Sequence, residues 1–167
     1  MTERIEKLLH LLKSKEYKKH REQTERSECE DLYDVCCRAE YFEKILSREK
    51  PIIFENDRIG FNRSDDRTFM PTGGNVTPDY YYVISNGFDK IAREIEESRK
   101  NHPENGDFAD ALLKCIGAAC DFADKYKARA KELGNDELYN ALCHIPRKGA
   151  DSFYEACVFL KLSIFLI

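Results

Sequence analysis

The sequence lacks three features that would each define a common functional class. Its most apolar stretch, residues 152–167, is shorter than the roughly 20 residues of a membrane-spanning helix and contains Lys161. Basic residues are not in excess, because the net charge is −4, which argues against nucleic acid or an anionic membrane as the main partner. The first residues contain no apolar signal region, so we expect a cytoplasmic protein that is not secreted.

Motifs for metal and nucleotide binding are also missing. The four histidines fall in different predicted elements, and no Cys or His pair has the spacing of zinc ligands. Gly73-Gly74 lacks the flanking residues of a nucleotide-binding loop. Seven cysteines without a secretory signal fit a reducing compartment, where they act as small core hydrophobes. We therefore predict that this chain contains no metal site and binds no cofactor.

Cys143-His144 is the only pair that suggests a nucleophile beside a base. Adjacent residues on a helix point about 100° apart, so we expect a buried cysteine beside an exposed histidine instead. Because no acid, base, nucleophile and oxyanion donors converge in the sequence, we assign no catalytic residue.

Composition and hydrophobic periodicity predict a mainly α fold. At 167 residues, 42% hydrophobic and 35% charged, the chain can form a core as a single segment, 1–167, without an internal boundary. One short β-hairpin is predicted where apolar residues 52–54 and 59–61 flank four turn-forming residues. About six helices are predicted, over residues 2 to about 20, 27–47, 77–95, 107–133, 136–143 and 152–167.

Capping residues predict where several helices begin and end. Ser27 with Glu30 forms a capping box, and Thr77 followed by Pro78 is a favourable helix start. Gly134 ends the long helix, whose centre, residues 115–120, consists mostly of small residues. Such a segment predicts that a neighbouring helix approaches closely.

The last helix has a start signal and no stop signal. Ser152 and Glu155 form a capping box, but no glycine, basic cluster or polar tail closes the helix. Because an apolar chain end exposes a sticky surface, we expect a truncated chain, the front part of a larger protein. The alternative is a stand-alone helical protein that docks a partner, or a second copy, through this helix. In a stand-alone protein the helix should be buried; in a fragment it should expose a broad apolar face.

Gly73-Gly74-Asn75 is a candidate for ligand binding. Two glycines let the backbone approach a ligand closely or adopt positive φ. Asn75 directly precedes a predicted helix N-terminus, where free amides favour an oxygen-rich ligand. A simple turn followed by a helix cap is the alternative interpretation.

Two segments of the sequence together carry a family resemblance. The first is Thr72-Gly-Gly-Asn-Val-Thr-Pro-Asp-Tyr80, continued by Val83-Ile84 and Asn86-Gly-Phe-Asp-Lys-Ile91. The second is Gly149-Ala-Asp-Ser-Phe-Tyr-Glu-Ala-Cys157. Both resemble the glycyl radical enzymes related to pyruvate formate-lyase, with which residues 51–61 and 116–133 agree more loosely.

The resemblance implies the N-terminal helical wall of a ten-stranded α/β barrel. Such lyases and dehydratases of anaerobic metabolism pass a glycyl radical to a catalytic cysteine, which abstracts hydrogen so that a C–C, C–O, C–N or C–S bond is cleaved. Neither the cysteine loop nor the glycyl motif matches any part of this chain, so we expect it to be inactive alone. The implied partners are the remainder of the barrel and a radical-generating activating enzyme with an iron–sulfur cluster.

The resemblance also assigns substrate-binding residues. Asn75 stands where the family's dehydratases have a substrate-binding histidine, and Gly74 and Tyr80 would lie beside it at one edge of the pocket. An asparagine can hydrogen-bond a hydroxyl, amide or carboxylate but cannot exchange a proton near neutral pH. The substrate and the bond cleaved are not assigned.

Overall fold

The computed structural model describes residues 2–14, 31, 33–62 and 78–166, which form a mainly helical structure. The seven α-helices of the described ranges are α1 (Glu3–Ser14), α2 (Val35–Arg48), α3 (Tyr80–Asn86), α4 (Phe88–Asn101), α5 (Gly106–Glu132), α6 (Asp136–His144) and α7 (Phe153–Leu166). A short 3-10 helix, Pro103–Asn105, joins α4 to α5.

The long helix α5 is the centre of the packing. α2, α4 and α6 all lie against it, and α7 packs on α3 and α6. Aromatic rings fill the space between the helices: the ring of Phe122 on α5 stacks on that of Phe165 on α7 at 4.9 Å, and Phe88 on α4 meets Phe159 on α7 edge to face at 5.3 Å. The core therefore joins the first half of the described chain to its last helix.

Two predicted helix starts are wrong. α2 begins at Val35, because Asp34 accepts a hydrogen bond from the backbone N–H of Cys37 at 2.7 Å and caps it. Ser27 and Glu30, the predicted capping box, lie outside the described residues. α3 likewise begins at Tyr80 with Asp79 as its cap, so Pro78 precedes the helix instead of occupying its first turn.

The predicted helix over 77–95 is divided in two at Gly87. This residue has φ 73° and ψ 165°, a conformation that is essentially restricted to glycine and incompatible with a helix. The division explains why seven helices are found in the described ranges where about six were predicted. The apolar positions of the segment keep their predicted role, since Phe88 is buried and Val83, Ile84 and Ile91 pack against the core.

The predicted hairpin is reduced to one antiparallel bridge between Ile52 and Asn62, and no strand forms among the described residues. Asn56, Gly60 and Phe61 have positive φ, which an extended strand cannot accommodate. The Asp57 carboxylate instead accepts hydrogen bonds from the N–H groups of Ile59 and Gly60 at 3.0 and 3.1 Å. Residues 51–62 therefore form a loop closed by a side chain.

The buried hydroxyl of Tyr126 on α5 fixes the two ends of this loop. It accepts a hydrogen bond from the N–H of Ile52 at 3.2 Å and donates one to the carbonyl of Asn62 at 3.1 Å. Burial raises the pKa of Tyr126, so the hydroxyl keeps its proton. Its ring also lies 4.3 Å from that of Phe61, so one side chain supplies both polar and apolar contacts.

The small-residue centre of α5 is only partly used for packing. Ala118, Ala119 and Cys120 are buried as expected. Gly117 is exposed, and a methyl group added there would meet nothing within 4 Å. Close packing on α5 therefore uses its alanines, and Gly117 is not required for it.

Candidate functional site

The predicted substrate-binding residues are only partly described. Gly74 and Asn75 lie outside the described residues. Tyr80 is the first residue of α3 and is half-buried. Its neighbour Tyr81 is 83% exposed, and the Tyr82 hydroxyl donates to the carboxylate of Glu94 on α4 at 2.6 Å, which raises the pKa of Tyr82. The end of α3 that follows Asn75 is thus a tyrosine-rich surface.

The other end of α3 is bonded to the loop before α7. Ala150 N–H donates to the carbonyl of Ile84 at 2.8 Å, although the two residues are far apart in sequence. Gly149 comes so close that a methyl group there would overlap the carbonyl of Ser85. Backbone therefore lies directly on backbone at this point, which only a glycine permits.

The start of α4 uses the same loop as its cap. A helix leaves its first N–H groups without intrahelical partners, and α4 has no side-chain cap. The carbonyls of Pro146 and Arg147 accept from the N–H groups of Phe88 and Asp89, at 2.8 and 3.0 Å. A methyl group at Gly87 would overlap the backbone of Lys148. We name this contact between residues 84–89 and 146–150 the glycine joint.

Two ion pairs hold the loop of the glycine joint. Arg147 contacts the carboxylate of Asp124 on α5 at 3.1 Å, and Lys148 contacts Asp89 on α4 at 3.0 Å. Burial alone would raise the pKa of Asp124, but hydrogen bonds from Lys127 and Arg147 outweigh it and lower that pKa. The loop is thus attached to α4 and α5 as well as to α3.

Acid should weaken this attachment. A carboxyl group whose pKa is lowered by folding stabilises the protein above its unfolded pKa, and this contribution is lost as the pH falls through the folded value. We therefore expect the Asp124→Asn variant to lose less stability than the wild type between pH 5 and about pH 3, the range in which free carboxyl groups titrate. Urea unfolding across that range checks it, with exposed Asp121→Asn as the control. If the free energy of unfolding fell equally with pH in Asp124→Asn and Asp121→Asn, the ion pairs of Asp124 would not account for the acid sensitivity.

His144, Asp151 and Glu155 bring one ring nitrogen and two carboxylate oxygens within 4.8 Å of one another beside the glycine joint. Nε2 of His144 lies 2.8 Å from the carbonyl oxygen of Gly149 and 3.2 Å from Asp151. A carbonyl oxygen only accepts, so Nε2 carries the proton and offers no lone pair to a metal. This cluster holds the start of α7.

The predicted capping box of α7 is present in modified form. Ser152 accepts from the N–H of Glu155 at 3.1 Å, as expected. The Glu155 carboxylate reaches the N–H of Asp151 at 2.7 Å instead of that of Ser152. The expected burial of Cys143 and exposure of His144 is wrong: Cys143 is exposed and His144 is half-buried because its ring binds Gly149.

The described cysteines differ strongly in exposure, and this gives a chemical test. Cys120 is buried, and burial raises its pKa to about 11, so only about 10⁻⁴ of it is thiolate at pH 7. We expect iodoacetamide at pH 7 to label exposed Cys143 in the native protein and Cys120 only after unfolding. Peptide mapping by mass spectrometry measures the alkylation of each cysteine, with a sample labelled in denaturant as the control. Equal labelling of Cys143 and Cys120 in the native protein would contradict the burial of Cys120 in the core.

α7 has two apolar faces. One is buried and carries Val158, Phe159, Leu162 and Phe165. On the opposite face, Phe153 is 86% exposed and Ile164 is 50% exposed. Cys157 and Leu160 lie between them at helical spacing and are half-buried. We name these four residues, 153, 157, 160 and 164, the outer face of α7. A helix that is apolar all round is typical of the interior of a larger assembly.

Both sides of the glycine joint and nearly all of α7 lie within one stretch of sequence that matches a known family. The sequence model of the pyruvate formate lyase-like family matches residues 68–165, more than half of the chain, and the chain belongs to this family. The predicted resemblance is therefore confirmed. No curated protein and no solved structure matches the chain. None of the described helices is long and apolar enough to cross a membrane.

The structure adds residues that sequence analysis missed. Gly87 and Gly149 lie within the two segments that carry the resemblance, but the sequence alone did not indicate that these segments are in contact. The isolated glycine inside a helical pattern is the one signal that could have indicated the break at Gly87. Nothing in the sequence indicated that Lys148 lies against Gly87 or that Gly149 lies against Ser85.

Proposed function

We propose that this chain forms the N-terminal helical part of a glycyl radical lyase or dehydratase. In the whole enzyme it would form the outer wall of the barrel and one edge of the substrate pocket. A glycyl radical elsewhere in that enzyme would generate a cysteine radical, which cleaves a C–C, C–O, C–N or C–S bond of a small molecule. The chain itself would supply structure and binding, without activity alone, in the cytoplasm of an anaerobically growing cell.

The observation that carries this proposal is a contact between two distant parts of the range that matches the family. Residues 84–89 and 146–150 are about sixty positions apart, yet three backbone hydrogen bonds join them. Both lie within the matched range 68–165. The first family-like segment meets the start of the second in this contact, where Ala150 is bonded to Ile84.

The pocket edge would be formed by Gly74, Asn75 and Tyr80. The amide of Asn75 can donate to and accept from a hydroxyl, amide or carboxylate of the substrate. It cannot relay a proton, which argues against glycerol or propanediol dehydration through this position. We therefore favour a substrate that is held by neutral hydrogen bonds at this edge.

The outer face of α7 is the surface on which the remainder of the barrel would pack. Covering apolar surface of this kind is favourable by roughly 25 cal/mol for each Å² that is removed from water. An activating enzyme with an iron–sulfur cluster would be the second partner of the whole protein. In the isolated chain we expect the same face to cause self-association.

Replacing Phe153 and Ile164 by serine should reduce that self-association. Phe153 is largely exposed and Ile164 is half exposed, so the free energy of unfolding should change by only about 1 kcal/mol. Light scattering coupled to size exclusion should show a larger monomer fraction than in the wild type. Lys161→Ser, an exposed substitution on the same helix, is the matched control. An unchanged oligomer distribution in the double variant would argue against the outer face as the contact.

The proposal is tested on the native protein. Antibodies raised against this chain should capture a polypeptide well above 19.5 kDa. Its tryptic peptides should include a catalytic-cysteine loop and a C-terminal glycyl radical motif. A 19.5 kDa species without such peptides would contradict the proposal.

The alternative is a stand-alone helical interaction module that docks a partner through α7. The burial of Val158, Phe159 and Leu162 in the chain's own core favours this candidate, since a stand-alone protein is expected to bury α7. It predicts a native 19.5 kDa species that loses its partner in the Phe153→Ser, Ile164→Ser variant. Full retention of the partner would contradict it.

A further inference from the structure

The core-facing side of α5 continues beyond the core. Six apolar residues share this side at the three- and four-residue spacing of one helix face: Phe108, Leu112, Cys115, Ala119, Phe122 and Tyr126. The last three are at most 3% exposed, whereas Leu112 is 36% exposed and Phe108 is 55% exposed. The side that is buried near the middle of α5 is therefore open near its start. We name residues 108, 112 and 115 the α5 stripe.

The start of α2 lies beside the α5 stripe. The Cys36 thiol is 3.9 Å from the carbonyl oxygen of Asp107, the residue before Phe108. The chain that joins α1 to α2 therefore enters the fold at this end of α5. Twenty residues, 15–34, separate the two helices, and such a length spans up to roughly 70 Å when fully extended. The connection is thus long enough for α1 to reach the α5 stripe.

α1 has the pattern of a helix that packs on an apolar surface. Ile5 and Leu9 are four residues apart and share one side, while the ion pair of Glu3 and Lys7, at 3.1 Å, lies on the opposite side. Every side chain of α1 whose burial the structure describes is exposed, including Ile5 and Leu9. A helix of twelve residues is only marginally stable in water by itself, so α1 needs a surface that covers its apolar side.

We propose that α1 docks on the α5 stripe, with Ile5 and Leu9 against Phe108 and Leu112. The two pairs have the same four-residue spacing, so the side chains of one helix fit between those of the other. Because α1 is tethered beside the stripe, its effective concentration there is high. This contact goes beyond the proposed function and does not depend on it.

The outer face of α7 is a second apolar surface, but it begins at the other end of α5. The hydroxyl of Tyr154, next to Phe153, donates to the carbonyl of Arg58. Arg58 in turn pairs with Glu137 on α6, which follows the last residue of α5 closely in sequence. The α5 stripe, in contrast, lies where the chain from α1 arrives, and this favours it as the docking surface.

Photocrosslinking in the full chain tests the contact. p-Benzoylphenylalanine replaces Phe108, an exposed aromatic residue, and irradiation should attach it to a residue of α1. Digestion and mass spectrometry locate the captured residue. An equal mixture of isotope-labelled and unlabelled protein shows whether that residue belongs to the same chain. The same photoreactive amino acid at Asp121, exposed on the opposite side of α5, should not capture α1.

Two double variants show whether the apolar side of α1 makes the contact. Ile5→Ser with Leu9→Ser should lower the yield of captured α1 about tenfold, because two apolar side chains leave the contact. Glu3→Ser with Lys7→Ser, on the opposite side of the same helix, is the matched control and should leave the yield unchanged. The substituted side chains are all exposed, so the fold is retained.

Several results would overturn the proposal. They are capture of α1 from a second copy, capture of α7 or another segment in place of α1, no capture of protein, and the same yield in both double variants. The experiment does not involve the radical, so a failure here leaves the proposed function standing, and a protein without a radical leaves this contact standing.

Discussion

Gly87→Ala should lower the free energy of unfolding by about 2–6 kcal/mol, with roughly 1–3 kcal/mol from the backbone conformation and a similar amount from overlap. Gly87 has φ 73° and ψ 165°, a region that alanine strongly disfavours. The added methyl group would also overlap the backbone of Lys148, which cannot rotate away as a flexible side chain could. Since domains of this size are stable by about 5–15 kcal/mol, the variant should lose much of its margin.

Urea unfolding followed by circular dichroism measures this effect. Gly117→Ala is the matched control, because the same substitution there meets open space inside α5 and should stabilise by about 0.5–1 kcal/mol. The two variants thus make the same chemical change, and we expect effects of opposite sign on the free energy of unfolding. A loss below about 1 kcal/mol for Gly87→Ala would mean that the glycine joint is not closely packed.

Tyr126→Ala should cost about 3–5 kcal/mol, as for other large aromatic residues removed from a core. The ring is fully buried between Phe61 and Phe122, and its hydroxyl bridges both ends of the 51–62 loop. Tyr126→Phe keeps the ring but leaves two backbone groups without their partner, at a cost of about 1–3 kcal/mol. The two variants therefore separate packing from hydrogen bonding.

Chemical denaturation gives the size of both losses, and amide exchange locates them. In Tyr126→Phe the N–H of Ile52 should exchange faster, while helix α6 remains protected. Tyr81→Phe, at an exposed position, should change stability by less than about 0.5 kcal/mol. If Tyr126→Phe matched that control, the hydroxyl bridge would not contribute to stability.

Much of the helical structure could be predicted from the sequence. The predicted end of α5 at Gly134 and the predicted span of α6 agree with the structure to within one or two residues. Both depend on local signals, such as the positive φ of Gly134 and the cap formed by Asn135. Signals of this kind act within a few residues and need no knowledge of the rest of the fold.

The errors occurred where distant residues decide the local structure. A glycine costs only about 1 kcal/mol inside a helix, so the apolar pattern across Gly87 predicted one continuous helix. The break is caused by residues 146–150, which cap α4 from a distant part of the chain. The hairpin failed partly for this reason, because the distant Tyr126 hydroxyl takes the N–H of Ile52, while the local Asp57 carboxylate takes the N–H groups of Ile59 and Gly60.

The candidate site was predicted in part. The two family-like segments were recognised from their residues, and the family match confirms that recognition. Their contact could not be predicted, since close approach of Gly149 to Ser85 leaves no periodic signal in the sequence. The binding roles of Gly74, Asn75 and Tyr80 stay predictions.

The most direct test of the central claim is electron paramagnetic resonance of the native protein. If the proposed function holds, the protein that contains this chain, purified without oxygen and treated with a radical-generating activating enzyme, should show the signal of a glycyl radical. A protein that contains this chain and gives no radical signal after activation would contradict the account.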